Sequence, residues 1–186
     1  IGSWDLSASG ISWVDDQNSV GGHHISFDGS AALDAGDKTT PNQLSICIWA
    51  RIDQTGSRQT IVDFGVNTSN SEGAWLSVAS DGSLEIDIEG TGTTSTGFAL
   101  STDTWYHLAF TYDSDGNLVV YVNGSQVYSA TPGDGTLGDS SRSLRYGDDA
   151  FGGGNNLFGD LDDNHIADSA LTQNEVQDIK GLSPRG

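Results

Sequence analysis

The segment Tyr146-Gly147-Asp148-Asp149-Ala150-Phe151-Gly152-Gly153-Gly154-Asn155-Asn156 gathers two carboxylates, two amides and two aromatic rings around a glycine run. Planar hydrogen-bonding groups meet sugar hydroxyls, and aromatic faces meet the C–H surfaces of sugar rings. The set therefore fits carbohydrate, and vicinal hydroxyls also ligate Ca2+. Asp148, Asp149, Asn155 and Asn156 are the candidate polar contacts, with Tyr146 or Phe151 as the platform. An ordinary glycine-rich loop, with Phe151 tucked into the core, is the other reading. A second chemistry lies in Glu85-Ile86-Asp87-Ile88-Glu89. Alternate strand residues share a face, and retaining glycoside hydrolysis needs two carboxylates ~5.5 Å apart. A half-buried strand with a solvated acidic face explains the same string without catalysis.

Other chemistry-bearing residues are sparser. His23 and His24 are adjacent, so on a strand they point to opposite faces and do not chelate one zinc ion. Cys47, the single cysteine, sits in an apolar strand and reads as a small buried hydrophobe. Trp13 lies beside Ser12, Asp15 and Asp16; it reads either as an exposed stacking platform or as packing of an N-terminal strand. Trp4, Trp49, Trp75 and Trp105 fall in strand patterns and read as core. Asn67-Thr68-Ser69 and Asn123-Gly124-Ser125 match glycosylation sequons, the second better explained as a turn.

These residues must be positioned by strands. Gln43 to Ile52 alternates with apolar side chains on both faces, the mark of a covered central strand. Thr104 to Tyr112 is the next strong strand, followed by an Asp113–Asn117 turn and strand Leu118–Val122. Asn123-Gly124 predicts a hairpin to Ser125–Ala130. Ser80–Ser83 turns between Ala74–Ala79 and Leu84–Ile88. Weaker strands are expected at Trp4–Leu6, His23–Phe27, Ala31–Asp34, Gln59–Phe64, Ser95–Leu100, Ser143–Tyr146 and Gly159–Ala167. Thr172 N-caps one helix, with Glu175 completing a capping box, running to about Lys180 and stopping at Gly181. Many short strands between Gly- and Asp-rich turns predict an all-β sandwich of two antiparallel sheets with one short C-terminal helix.

The chain of 186 residues suits one such domain, spanning 1–186. It carries 26 acidic and 7 basic residues, a net charge of −19. Nucleic acid and anionic membrane surfaces need Lys and Arg, and are not expected partners. No stretch approaches the ~18 apolar residues of a membrane span, and Ile1-Gly2-Ser3-Trp4 begins no signal peptide. The repulsion among so many carboxylates favours bound cations or a saline medium.

Several blocks, in order, resemble the laminin-G-like branch of the concanavalin A-like lectin/glucanase superfamily. They are Phe27-Asp28-Gly29, Leu44–Ala50, Trp105–Asp113, Leu118–Gly124, and Phe158–Asp163 leading to Ala170-Leu171-Thr172 and Glu175-Val176. The closing block departs from the pattern at Asn164 and His165 and at Ala167-Asp168-Ser169. The resemblance implies a concanavalin A-like jelly roll. It also implies a calcium site in which Asp28 and Asp162 meet at one sheet edge, with Asp163 adding a ligand. The Glu85–Glu89 string is close to a glucanase motif, but it stands where non-catalytic relatives have an ordinary strand. The expected function is therefore non-catalytic, Ca2+-assisted binding of a glycan or cell-surface polysaccharide. The setting expected is a monomeric module of a larger extracellular or cell-surface protein. A structural spacer of a surface adhesin is the alternative, followed by a glycoside hydrolase using Glu85 and Glu89.

Overall fold

The computed structural model describes residues 10–15, 23–37, 41–67, 72–88, 91–137, 143–149 and 154–182. In chain order the strands are β1 (Ile11–Asp15), β2 (His23–Asp28), β3 (Leu33–Asp37), β4 (Leu44–Ile52), β5 (Gln59–Asn67), β6 (Glu72–Val78) and β7 (Ser83–Ile88). They continue as β8 (Thr94–Ala99), β9 (Tyr106–Tyr112), β10 (Leu118–Val122), β11 (Ser125–Ala130), β12 (Ser143–Tyr146) and β13 (Phe158–Ala167), before helix α1 (Gln173–Leu182). One sheet runs β1-β2-β13-β4-β9-β10-β11 and the other β3-β12-β5-β6-β7-β8, both antiparallel. This is the expected jelly-roll sandwich. Strand β1 was given no range in the sequence, although packing of an N-terminal strand was one reading of Trp13. The segment Trp4–Leu6 lies outside the described residues.

Alternation decides which side chains meet between the sheets. Ile46, Ile48, Ala50 and Ile52 of β4 face Val62, Phe64, Leu76, Val78 and Ile86 from the opposite sheet, all buried. The other face of β4 is buried too. Cys47 joins Ala109, Tyr121 and Val176 in a separate cluster, with Val176 supplied by α1. The helix thus roofs the outside of the seven-stranded sheet. Its capping box forms as predicted: Glu175 Oε2 accepts from the Thr172 amide (2.7 Å) and hydroxyl (2.8 Å). The helix does not stop at Gly181 but continues to Leu182. The Asn123-Gly124 turn has the expected positive φ at both residues, 52° and 77°.

Trp49 and Trp75 are buried, but their strand positions put them on the outer faces, not in the inter-sheet core. Trp49 shares its outer face with His107 in an edge-to-face contact at 5.5 Å. Lys180 of α1 lies 6.0 Å from the Trp49 ring.

Burial pushes the Cys47 thiol up to about 12, so native protein resists thiol reagents. Thr172→Ala, which removes the cap, costs about 1 kcal/mol by urea unfolding and speeds Cys47 labelling. Burial, reinforced by Lys180, pushes His107 down from 6.5 to about 4. As pH falls the unfolded chain takes that proton first. The stability from neutral His107 is therefore whole above pH 6.5 and drains toward pH 4. His107→Phe should lose less stability than wild type between pH 7 and pH 4.5; equal losses exclude His107 as a source.

Candidate functional site

The outward face of the six-stranded sheet carries two cross-strand rows of polar side chains. Asp34, Arg145, Asp63, Trp75 and Asp87 stand opposite one another on β3, β12, β5, β6 and β7. Thr60, Ser77, Glu85 and Ser95 form the next row on β5, β6, β7 and β8. Trp75 Nε1 donates to Thr60 Oγ1 at 3.0 Å, which fixes the indole across the rows. The Arg58 guanidinium covers the Trp75 ring at 5.4 Å and pairs with Glu85 at 2.9 Å. Arg145 reaches Asp34 at 3.4 Å. Asp63 is fully buried in the row, and burial pushes the Asp87 carboxyl upward against the Gly92 amide that donates to it.

The loop from Tyr146 to Asn156 is fastened to the edge of this face. The Thr60 amide donates to the Asn155 carbonyl (2.7 Å), and the Leu157 amide donates to the Gly147 carbonyl (2.8 Å). Asn155 Nδ2 donates to Asp149 Oδ2, and Arg145 Nη1 approaches the Asp149 carbonyl at 3.5 Å. Gly147 holds φ 78°, and a Cβ there would lie 2.5 Å from the Phe27 ring, so the loop needs glycine at its start. Asp148 is half-buried. Burial and the neighbouring Asp149 charge push its carboxyl up, while the Asp149 amide and Arg145 oppose them. The loop therefore holds the half-buried Asp148 within reach of the Arg145 charge, while Asn156, also half-buried, follows the Asn155 whose carbonyl is fixed to Thr60.

The expected residues divide accordingly. Asp149 and Asn155 come together by a direct bond, with Asp148 accepting from the Asp149 amide, but Asp149 is 4% exposed and is spent holding Asn155. Tyr146 does not serve as an outer platform: alternation turns it inward, 7% exposed, with its hydroxyl bonded to Asn164. Phe151 lies outside the described residues, as do Glu89 and the Trp13 side chain. Asp28 and Asp162 do not meet at one ion. Asp28 stands opposite Phe158, and Asp162 lies four residues further along β13, roughly 13 Å at strand spacing. Asp28 Oδ1 accepts from the Ser30 amide and hydroxyl, and Asp162 Oδ1 accepts from the Asp163 amide. Asp163 sits with φ 43° where β13 breaks register with β4. Among the described residues, no three acidic, histidine or cysteine side chains surround a common metal position. The donors proposed for one Asp28–Asp162 calcium ion do not fit it.

Arg58, Arg145, Asp63 and Trp75 were missed as a group. Only strand register aligns them, and no local pattern carries register between β12, β5 and β6. Their one visible signal was scarcity, since any Arg stands out among 7 basic residues.

Two antiparallel sheets, a roofing C-terminal helix and a terminal capping block define a laminin-G-like jelly roll. The sequence profile of the concanavalin A-like lectin/glucanases superfamily matches residues 26–177, and the chain belongs to that superfamily. No curated protein matches it. Domain 4 of AbnA, an extracellular arabinanase of Geobacillus stearothermophilus solved with arabinotriose, is 24% identical with a TM-score of 0.70. That match covers 95% of this chain and 84% of the domain. A heptameric SAP-like pentraxin of Limulus polyphemus is 22% identical (TM-score 0.68), covering 84% of this chain and 81% of that one. The binding domain of botulinum neurotoxin serotype G is 17% identical (TM-score 0.70), covering 94% of this chain and 45% of that domain. At these identities the likeness is one of fold.

The geometry separates two neighbouring aspartates. Asp149→Ala should cost about 1–3 kcal/mol, because it strands a buried charge-assisted bond. Asp148→Ala should stay within about 0.5 kcal/mol. Urea unfolding of both variants checks the difference.

Proposed function

We propose that the chain is a non-catalytic glycan-binding module that takes neutral sugars at the edge formed by Asp148, Asn156 and Arg145. The observation that carries this reading is the Asn155–Thr60 bond, which pins the polar loop beside the rows of the six-stranded sheet. Half-buried carboxylate, amide and guanidinium groups at one edge suit a chain of hydroxyls. Asp34, Asp63, Glu85 and Asp87 on the adjoining face, with a net charge of −19, disfavour sulfated or uronic polymers. The arabinotriose held by the arabinanase domain supports the reading by analogy of fold.

Calcium enters the proposal at the loop. Asp148 is pushed up by burial and by Asp149, and a hard cation relieves both effects. Two carboxylates are too few, so carbonyls, water and sugar hydroxyls would complete six to eight oxygens. An extracellular or cell-surface setting, within a larger protein, follows from the same proposal.

One observation favours the spacer reading: Asp149 and Asn155 satisfy each other, leaving fewer groups for a ligand. Catalysis ranks lower, since Glu85 is already neutralised by Arg58 at 2.9 Å.

A glycan array run with calcium and again with EDTA tests the proposal. Selective binding of neutral glycans is expected, reduced about tenfold by Asp148→Ala or Asn156→Ala. Loss in EDTA assigns calcium to the site, while persistence confines the proposal to the side chains. Absence of binding in both conditions leaves the spacer.

A further inference from the structure

A cavity of about 520 Å3 opens between the sheets. Strands β2, β13 and β4 wall it on one side, β3 and β12 on the other. Ile25, Leu33, Ile48, Leu144, Leu161 and Ile166 make the walls apolar. Ile25, Leu33 and Ile166, with Ala35, pack against the core but are only half-buried, so they meet the cavity without filling it. Protein interiors pack densely, and an open volume among aliphatic side chains costs stability unless something occupies it. The volume lies within the ~300–1,000 Å3 range of small-molecule sites.

Both walls are bulged at this place. Ser143 pairs with Asp37 and Arg145 with Asp34, so β3 carries one residue more than β12, with Gly36 at φ 76°. Asp162 pairs with Trp49 and His165 with Cys47, so β13 carries one residue more than β4, with Asp163 at φ 43°. Ala35 lies in the first bulge and Ile48 stands across from the second, and both line the cavity. Bulges bend and twist their strands. One in each wall accounts for facing apolar side chains that do not close on each other.

The border offers a charged ligand no partner. His23 and Asp163 are exposed, and Asp162 stands opposite Trp49 on the outward face of the seven-stranded sheet. All three are engaged in interactions of their own. Asn164 is bonded to the Tyr146 hydroxyl. None of the four described basic residues, Arg51, Arg58, Arg145 and Lys180, lines the cavity. An ammonium or a carboxylate drawn between the sheets would therefore be buried unpaired, which is costly. An uncharged hydrocarbon body gains from the same transfer.

We propose that this cavity binds a small uncharged molecule, mostly hydrocarbon, of the class of medium-chain alcohols, held between the sheets by apolar contact. The site uses none of Asp148, Asn156 and Arg145, so this reading and the glycan reading can fail separately. The neutral fluorophore N-phenyl-1-naphthylamine, which brightens in apolar surroundings, is titrated into the whole chain in saline containing EDTA at neutral pH. It is then displaced with decanol, decylamine or decanoate, each kept below its micelle-forming concentration.

Uptake is expected to saturate at one probe per chain. Decanol should displace the probe at about tenfold lower concentration than either charged analogue. Ala35→Trp, which adds volume at the wall, should abolish uptake while circular dichroism and melting stay intact. If Ala35→Trp unfolds, Leu33→Phe provides the same test with less added volume. Absence of saturable uptake overturns the proposal, as does uptake unchanged by a folded filling variant. Displacement by decylamine or decanoate as strong as by decanol overturns the uncharged occupant.

Discussion

The structure depends on one interface, where aliphatic side chains of β4, β9 and β10 press against those of β5, β6 and β7. Every strand in the two sheets alternates, so this contact assigns each residue to an inside or an outside. A slip of one residue in β7 would drive Glu85 and Asp87 into the core and Leu84, Ile86 and Ile88 into water. Six fully buried isoleucines, Ile46, Ile48, Ile52, Ile61, Ile86 and Ile88, show how strongly register is held. The polar rows on the outer face are the complement of that core.

The two outer faces are finished differently. On the seven-stranded sheet, Cys47, Ala109 and Tyr121 are apolar, and α1 covers them with Val176. The cap at Thr172 sets where that roof begins, and Ser45 Oγ ties in by donating to the Ser169 carbonyl and accepting from the Leu171 amide. On the six-stranded sheet no helix is laid down among the described residues, and the outward rows carry Thr, Asp, Ser, Glu, one Arg and one Trp. That face must satisfy itself by cross-strand pairing, and the pairing brings Arg145 and the loop into contact. The edge proposed for glycans thus lies where, among the described residues, no helix roofs the sandwich.

Much of this was legible locally. Alternation in Gln43–Ile52 and Thr104–Tyr112 located two neighbouring inner strands of the larger sheet, Asn123-Gly124 the hairpin, and Thr172 with Glu175 the helix start. These signals are short-range, because strand faces, turns and caps are decided within a few residues. The site was legible only in part. The loop's Asp, Asn and Gly content singled it out, yet composition does not say which polar group a loop spends on itself. Asp149 and Asn155 are chemically equivalent to Asp148 and Asn156 in sequence and are separated only by who bonds whom. Tyr146 was misplaced for a related reason: one residue decides between the inner and outer face, and a four-residue strand offers little alternation to fix it. The Asp28–Asp162 pairing failed on register, which is a property of two strands far apart in the chain.

The few cations complete the account. Of the four described basic side chains, three lie against tryptophan rings: Arg51 on Trp105 at 6.0 Å, Arg58 on Trp75 at 5.4 Å and Lys180 on Trp49 at 6.0 Å. All three tryptophans occupy outward strand positions or strand starts, where a bare indole would offer an adhesive surface. Each cation also serves a carboxylate or a roof: Arg51 pairs with Asp160 and Asp53, Arg58 with Glu85, and Lys180 belongs to α1. A chain this acidic can therefore seal its outer aromatics with charge, since guanidinium and ammonium groups bind both the ring face and the neighbouring carboxylate. The consequence for recognition is direct. The three described tryptophan rings are already covered, so among the described residues the edge proposed for glycans offers hydrogen-bonding groups, with Arg145, the fourth described cation, as its positive charge.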